Sequence, residues 1–463
     1  MSGADDGATG GRGGSVAGAA PAPEARARER AELEATFDRL FPLLRSLTGE
    51  GARQTHRILG EFLPLETLEI PSGTQAFDWT VPPEWVVREA YVVTPDGRRI
   101  LDVREHTLHL VNYSVPFRGE LDLEELLPHL YSLPERPDAI PYVTSYYRPR
   151  WGFCLPDRMR RSLPAGTYRV VVDTELIEGS MTLSECVLPG ERQREVLLTS
   201  YTCHPSMANN ELSGPLVAAF LYRRLAAWPS RRLSYRFVFG PETIGAIAYL
   251  ALRGDHLKAR LDAGLVLTCV GDPGALTYKR TRRPGSLTDR AVEIALADVD
   301  DLRWRDFAPL GSDERQYASP GFDLPVGSLT RTMYATYPEY HTSDDDRSFI
   351  AFDAMQGSID AAEAICRVLD RGGQRFRNLF PYGEPQLGRR GLYPDFAIGA
   401  SNHGVEAAIF WVLNLSDGEN DLLAIARRSG VPFGALADAA ERCVAAGLLQ
   451  PLPPDAPGGE RNG

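Results

Sequence analysis

The run Val196-Leu-Leu-Thr-Ser-Tyr201 has the length and apolar character of a buried strand. An amphipathic helix pattern begins at Leu212 and continues to Trp228. Between the two lies a loop dense in polar donors, Thr202-Cys-His-Pro-Ser-Met-Ala-Asn-Asn-Glu211, and Ser213-Gly214 close the entry to the helix. A buried strand feeding a helix through such a loop belongs to α/β architecture. There, ligands bind outside the carboxyl ends of the strands.

The surrounding chain repeats the pattern. Strands are expected at 168–172, 196–201, 233–239, 264–270 and 324–329, and helices at 212–228, 243–252, 289–297 and 352–369. The expected fold class is therefore α/β, with a mainly parallel sheet and helices on both faces. Residues 28–69 and 164–380 form its catalytic domain. Residues 70–163 differ in texture: short alternating runs, dense aromatics and the turn Pro95-Asp-Gly97 mark an inserted β-rich domain. Three helical patterns and a short strand within 381–453 read as a winged-helix module. Residues 1–27 are Gly, Ala, Pro and charge, a composition that stays disordered, and residues 454–463 read as a loose tail.

Composition narrows the partners. A net charge of −12 argues against a general phosphate-binding role. The helix expected to read DNA, 435–447, carries Asp438, Glu441 and Arg442 rather than a basic face, so nucleic acid is not an expected partner and a packing or oligomer-forming role is expected of the module. The six cysteines form no CxxC pair, the N-terminus has no apolar leader segment, and no run is long enough to span a membrane, so a cytoplasmic protein is expected.

Candidate chemistry recurs at strand ends. His204 follows the first strand; Glu211 follows it in the same loop, where a carboxylate also suits a helix N-terminus. Glu242, in Phe239-Gly-Pro-Glu-Thr-Ile-Gly245, is a candidate general base, or else a first-turn glutamate. Asp272 follows a third strand, although Asp-Pro-Gly is also a plain turn. His341 precedes Asp344, Asp345 and Asp346, any of which could orient its ring. His204, Glu211, Asp272 and His341 are thus the expected metal ligands, a set suited to zinc with an open position for water. The basic run Tyr278-Lys-Arg-Thr-Arg-Arg283 could hold a substrate carboxylate.

Longer phrases carry a resemblance: Pro71-Ser-Gly-Thr74, Phe77-Asp-Trp-Thr-Val-Pro82, Ile140-Pro-Tyr-Val-Thr-Ser-Tyr-Tyr147, Trp151-Gly-Phe-Cys154, Cys203 to Gly214, Gly311-Ser-Asp-Glu-Arg-Gln-Tyr317 and Tyr340-His-Thr-Ser-Asp344. Over residues 35–450 the chain resembles the DUF4910 group of the M28-type zinc aminopeptidase fold, with an inserted DUF2172 domain and a C-terminal winged helix. The resemblance places His204 and His341 at zinc-histidine positions. It puts Asn210 where active peptidases have a metal-bridging aspartate, and Glu242 and Thr243 where they have a base and a ligand glutamate. One zinc ion rather than two is implied.

The expected activity is zinc-dependent hydrolysis of an amide or peptide bond in a small peptide or amino-acid amide. Glu242 is the base, and Asn210, Arg280, Arg315 and Tyr340 are the substrate-binding residues. The alternatives are a single-zinc acyl-transfer or cyclising enzyme, a non-catalytic binding or scaffold protein, and a winged-helix regulator.

Overall fold

The computed structural model describes residues 22–392 and 403–453. Most of the expected N-terminal tail and the whole loose tail at 454–463 lie outside the described residues. Where the first boundary is described it moves: Pro23, placed where its missing N–H is harmless, opens the helix Pro23–Leu40. The chain divides into two compact units. One comprises Pro21–Asp289 with Asp301–Glu363, the other Arg290–Asp300 with the chain from Ala364 onward.

The first unit holds a mixed, mostly parallel sheet of eight strands, ordered Glu66–Pro71, Ser180–Leu188, Ser234–Gly240, Glu195–Tyr201, Leu261–Leu267, Val326–Thr330, Thr277–Lys279 and Arg303–Arg305. The central run from Ser234–Gly240 to Val326–Thr330 is parallel, and antiparallel strands flank it on both sides. From Glu195–Tyr201 the chain steps to Ser234–Gly240 on one side, then crosses back to Leu261–Leu267 on the other. Right-handed crossovers in opposite directions put their helices, Ser213–Ala226 and Ile244–Arg260, on opposite faces. The reversal falls at Tyr201, which makes its loop the expected crevice. The helix behind the loop lies very close to the sheet: a Cβ on Gly214 would meet Leu267 O and Ser200 Oγ at 2.3 Å. That contact explains the glycine.

The inserted domain is a four-stranded antiparallel sheet, Arg99–Ile100, Glu84–Val93, Thr167–Ile177 and Phe117–Asp122. Residues 168–172, expected in the main sheet, belong to this one, so the insertion runs to Ile177 rather than ending at 163. It leaves and rejoins the main sheet between paired neighbours, with Pro71 opposite Ser180. Ser180–Leu188 was not expected as a strand; its buried Thr182, Ser184 and Glu185 hide the apolar alternation. One apolar core spans both sheets, from Trp85, Val92 and Tyr168 to Leu183, Leu197 and Val266.

The second unit contains the winged helix: helices His403–Leu415, Leu422–Ser429 and Phe433–Ala445, with a sheet ordered Asp417–Asp421, Arg375–Asn378, Leu449–Pro451. Its central strand precedes residue 381, so the module starts earlier than expected. No helix among the described residues is long and apolar enough to cross a membrane.

Candidate active site

The loop after Tyr201 is shaped before it is functional. Ser206 takes a positive φ of 47° and sends the chain into a wide π-type turn, Ala208–Leu212, in which Leu212 N donates to Met207 O at 3.2 Å. Such turns recur at functional sites because they present extra side chains from one turn of backbone. Here Asn209, Asn210 and Glu211 are all buried. The turn is held from outside. Asp345 accepts from Asn209 N at 2.6 Å and Asn210 N at 2.9 Å, and its own carbonyl accepts from Ala208 N at 2.8 Å. Arg45, fully buried, donates from Nε to His204 O at 2.9 Å.

Two histidines face each other within this frame. The His204 and His341 rings lie 5.3 Å apart between centroids, and Tyr142 sits 5.1 Å from one and 5.2 Å from the other. Tyr340 stacks on His341 at 3.9 Å. His341 holds a positive φ of 58°, and its carbonyl accepts from Tyr142 N at 2.8 Å. Glu211 Oε2 lies 2.7 Å from His204 Nδ1. With Glu211 ionised, that contact places the proton on Nδ1 and leaves Nε2 with a lone pair. Nε2 points toward Glu242, whose Oε2 is 3.8 Å away. The donor atoms of Cys203, His204 and Glu211 also lie within 4.8 Å of one another.

The electrostatics are those of a site short of positive charge. Burial pushes His204 and His341 down to about 3, so both imidazoles are neutral. Burial pushes Glu211 well above the usual carboxylate range, opposed by the Arg45 guanidinium 3.9 Å away. Glu242 is also raised well above it, first by burial and then by the charges of Asp313 and Glu211. Asp313 is raised to about 7, mainly by burial. Glu211 Oε1, Asn210 Oδ1 and His341 Nε2 are buried with no hydrogen-bond partner. Neutral imidazole nitrogens, an uncommitted amide oxygen and buried acids together fit a divalent cation of zinc type.

The expected residues separate into those that meet here and those that do not. His204, His341, Glu211, Glu242, Asn210 and Tyr340 meet. Asp272, expected as a ligand, is saturated: it accepts from Thr332 Oγ1 at 2.6 Å, Gly274 N at 2.8 Å, and Thr332 N and Asn209 Nδ2 at 3.0 Å. It braces the loop instead. Arg280, expected on substrate, lies over the Trp304 ring at 4.3 Å, and its basic neighbours Arg282 and Arg283 pair with Asp323. Arg315 donates to Thr243 Oγ1 at 3.1 Å. None of the acidic triplet orients His341: Asp344 pairs with Arg136, Asp345 holds the π-type turn and Asp346 accepts from Ser348. Arg45 escaped notice because nothing local marks it, and Cys203, although it opens a phrase that carried the resemblance, was given no role. Tyr142 lies in a phrase that carried the resemblance, which was the available signal.

Comparison with known proteins fits this geometry. The profile of a family described as a domain of unknown function, DUF4910, matches residues 34–372. The chain belongs to the DUF4910 family. A winged helix-turn-helix profile matches residues 374–451, in line with the early start of that module. A Clostridium acetobutylicum relative is 43% identical over 420 residues, covering 90% of this chain and 96% of its own, and carries the provisional name of a polysaccharide biosynthesis protein with an aminopeptidase-like domain. A crystal structure from the same organism, provisionally called a peptidase, has 41% identity and a TM-score of 0.85, covering 93% of this chain and 98% of that one. A zinc aminopeptidase from Bacillus subtilis matches at 14% identity and a TM-score of 0.54, over 73% of this chain and 93% of its own, which shows a shared fold. The DUF4910 chain therefore has an aminopeptidase-like fold with its candidate site at the expected sheet edge.

Proposed function

We propose that this DUF4910 protein is a cytoplasmic, single-zinc hydrolase of an amide or peptide bond in a small substrate. The observation that carries the reading is the pair of neutral histidines beside Glu242, a carboxyl group raised by burial, at the carboxyl edge of the parallel strands. His204 and His341 would hold the ion, with Asn210 Oδ1 and Glu211 Oε1 as further uncommitted donors and Glu211 Oε2 orienting the His204 ring. A bound zinc ion supplies Lewis-acid polarisation of a carbonyl and acidifies water. Glu242 accepts the proton of the attacking water and returns it to the leaving nitrogen, a task favoured by the greater basicity that burial gives its carboxylate. Tyr142 and Tyr340 flank the histidines. Asn210, a neutral amide, supports one ion rather than two. The six buried, free cysteines support a reducing compartment.

The winged helix is read as a packing and self-association module. Its helix Phe433–Ala445 buries Phe433, Leu436, Ala437, Ala440 and Cys443, while Asp438 and Glu441 pair with Arg371, leaving no basic reading face on it.

The test begins with elemental analysis, expected to give one zinc per chain. A panel of aminoacyl amides, dipeptides and N-acyl amino sugars then seeks turnover; the sugars are included because the relative's name points to polysaccharides. Glu242→Gln should lower kcat about 100-fold or more with zinc retained. Absence of zinc after metal-replete expression, or unchanged turnover in the variant, would refute the reading. Loss of zinc in Glu242→Gln would make Glu242 a ligand instead. Products lacking the elements of water would favour acyl transfer.

A further inference from the structure

Glu242 is followed by an unusual piece of backbone. Thr243 has φ 65° and ψ −76°, and Ile244 N donates back to Glu242 O at 2.8 Å. This is the positive-φ γ-turn, rare and strained for any residue and most disfavoured for a β-branched one. The following helix starts on it: Gly245 N donates to Pro241 O at 3.0 Å and Ile247 N to Thr243 O at 2.9 Å. A strained turn persists where its surroundings over-determine it, and such turns cluster at functional sites.

The surroundings are specific. Thr243 N donates to Asp313 Oδ1 at 2.7 Å, and Thr243 Oγ1 accepts from Arg315 Nη2 at 3.1 Å. Both partners come from one short segment, Ser312 to Tyr317, and Asp313 is buried. On the other side, Glu242 N donates to Cys203 Sγ at 3.3 Å, which ties the same turn to the residue preceding His204. The three contacts fix the backbone on both sides of the Glu242 side chain.

We propose that Asp313 and Arg315 are positioning residues that clamp Thr243 in its γ-turn and thereby aim Glu242 at the histidine pair. The proposal rests on reading Glu242 as the base. It gives Gly311-Ser-Asp-Glu-Arg315 a role in base alignment, in place of the substrate contact expected of Arg315.

The test uses the full zinc-loaded chain and the amide from the panel that wild type turns over fastest. Asp313→Ala releases the Thr243 amide. Its kcat should fall about 10- to 100-fold, as for a misplaced catalytic group, with KM within about twofold and zinc per chain unchanged. Adding Thr243→Gly, which tolerates positive φ without the clamp, should restore at least about a third of the lost activity on a logarithmic scale. A loss that a glycine cannot rescue, an unchanged kcat, or a fall confined to KM overturns the clamp. If wild type hydrolyses none of the panel, the amide-hydrolase reading fails, and a thermal double-mutant cycle decides the clamp by itself. Thr243→Gly should then at least halve the Tm loss caused by Asp313→Ala; additive losses would overturn the proposal.

Discussion

Deleting the Asp345 carboxylate should loosen the turn that carries Asn209 to Glu211 and, with it, the setting of His204. In Asp345→Ala the amides of Asn209 and Asn210 lose acceptors at 2.6 and 2.9 Å in a region buried from water. An orphaned buried donor costs about 1–3 kcal/mol, so the two together set a range of about 2–6 kcal/mol. The backbone carbonyl of residue 345 still accepts from Ala208 N, which keeps part of the turn in place. The expected loss is therefore about 2–4 kcal/mol, a large share of a typical stability of roughly 5–15 kcal/mol. Asp345→Asn keeps one acceptor oxygen and should lose about half as much. Urea denaturation followed by tryptophan fluorescence measures both. Asp346→Ala is the control: its carboxylate accepts from Ser348 near the surface, and its loss should stay within about 0.5 kcal/mol. Equal unfolding midpoints for Asp345→Ala and the control would show that the carboxylate does not hold the turn.

Other consequences follow from the same contacts. His56 lies buried between Ser184 Oγ at 2.6 Å and Thr202 Oγ1 at 2.9 Å, and burial pushes it down to about 4. Its folded pKa is below the unfolded value of about 6.5, so between those values the unfolded chain binds the extra proton and stability falls on acidification. His56→Gln should remove up to roughly 3 kcal/mol of that pH dependence between pH 7 and pH 4, read from urea midpoints at each pH; parallel profiles would count against it. Asp272→Asn should leave zinc content unchanged while costing about 1–3 kcal/mol, because one of its four donors loses an acceptor. Loss of zinc in that variant would restore Asp272 as a ligand. Gly214→Ala drives a methyl into Leu267 O and Ser200 Oγ and should cost about 3 kcal/mol or more, seen as a lower Tm; a wild-type Tm would mean the helix can move away at little cost.

The comparison of sequence with structure divides along a physical line. Periodicity located the parallel strands Glu195–Tyr201, Ser234–Gly240, Leu261–Leu267 and Val326–Thr330 to within a few residues, because burial on both faces leaves an unbroken apolar run. The same signal misassigned residues 168–172, since a strand's pattern reports burial and does not name its partner. Glu84–Val93 and Phe117–Asp122 are its partners, and only the register decides them. Ser180–Leu188 was missed because its buried polar groups are satisfied by distant residues: Arg236 and Tyr249 on Glu185, His56 on Ser184.

The sequence by itself determined the class of fold and the strand ends where candidate chemistry gathers, both through local patterning; the resemblance singled out His204, Glu242 and His341 as candidates. Tertiary structure alone decided which polar residues are free and which are spent. Asp272 has suitable chemistry, but Asn209 and Thr332 consume it, and Arg280 lies over the Trp304 ring. Arg45 has no local signature, and Asp313 and Asp345 stand in marked phrases that do not name their partners; all three set the loop, the γ-turn and the π-type turn from segments far away in sequence. A buried donor or acceptor must be satisfied by whatever the fold brings near it, and that neighbourhood is long-range information.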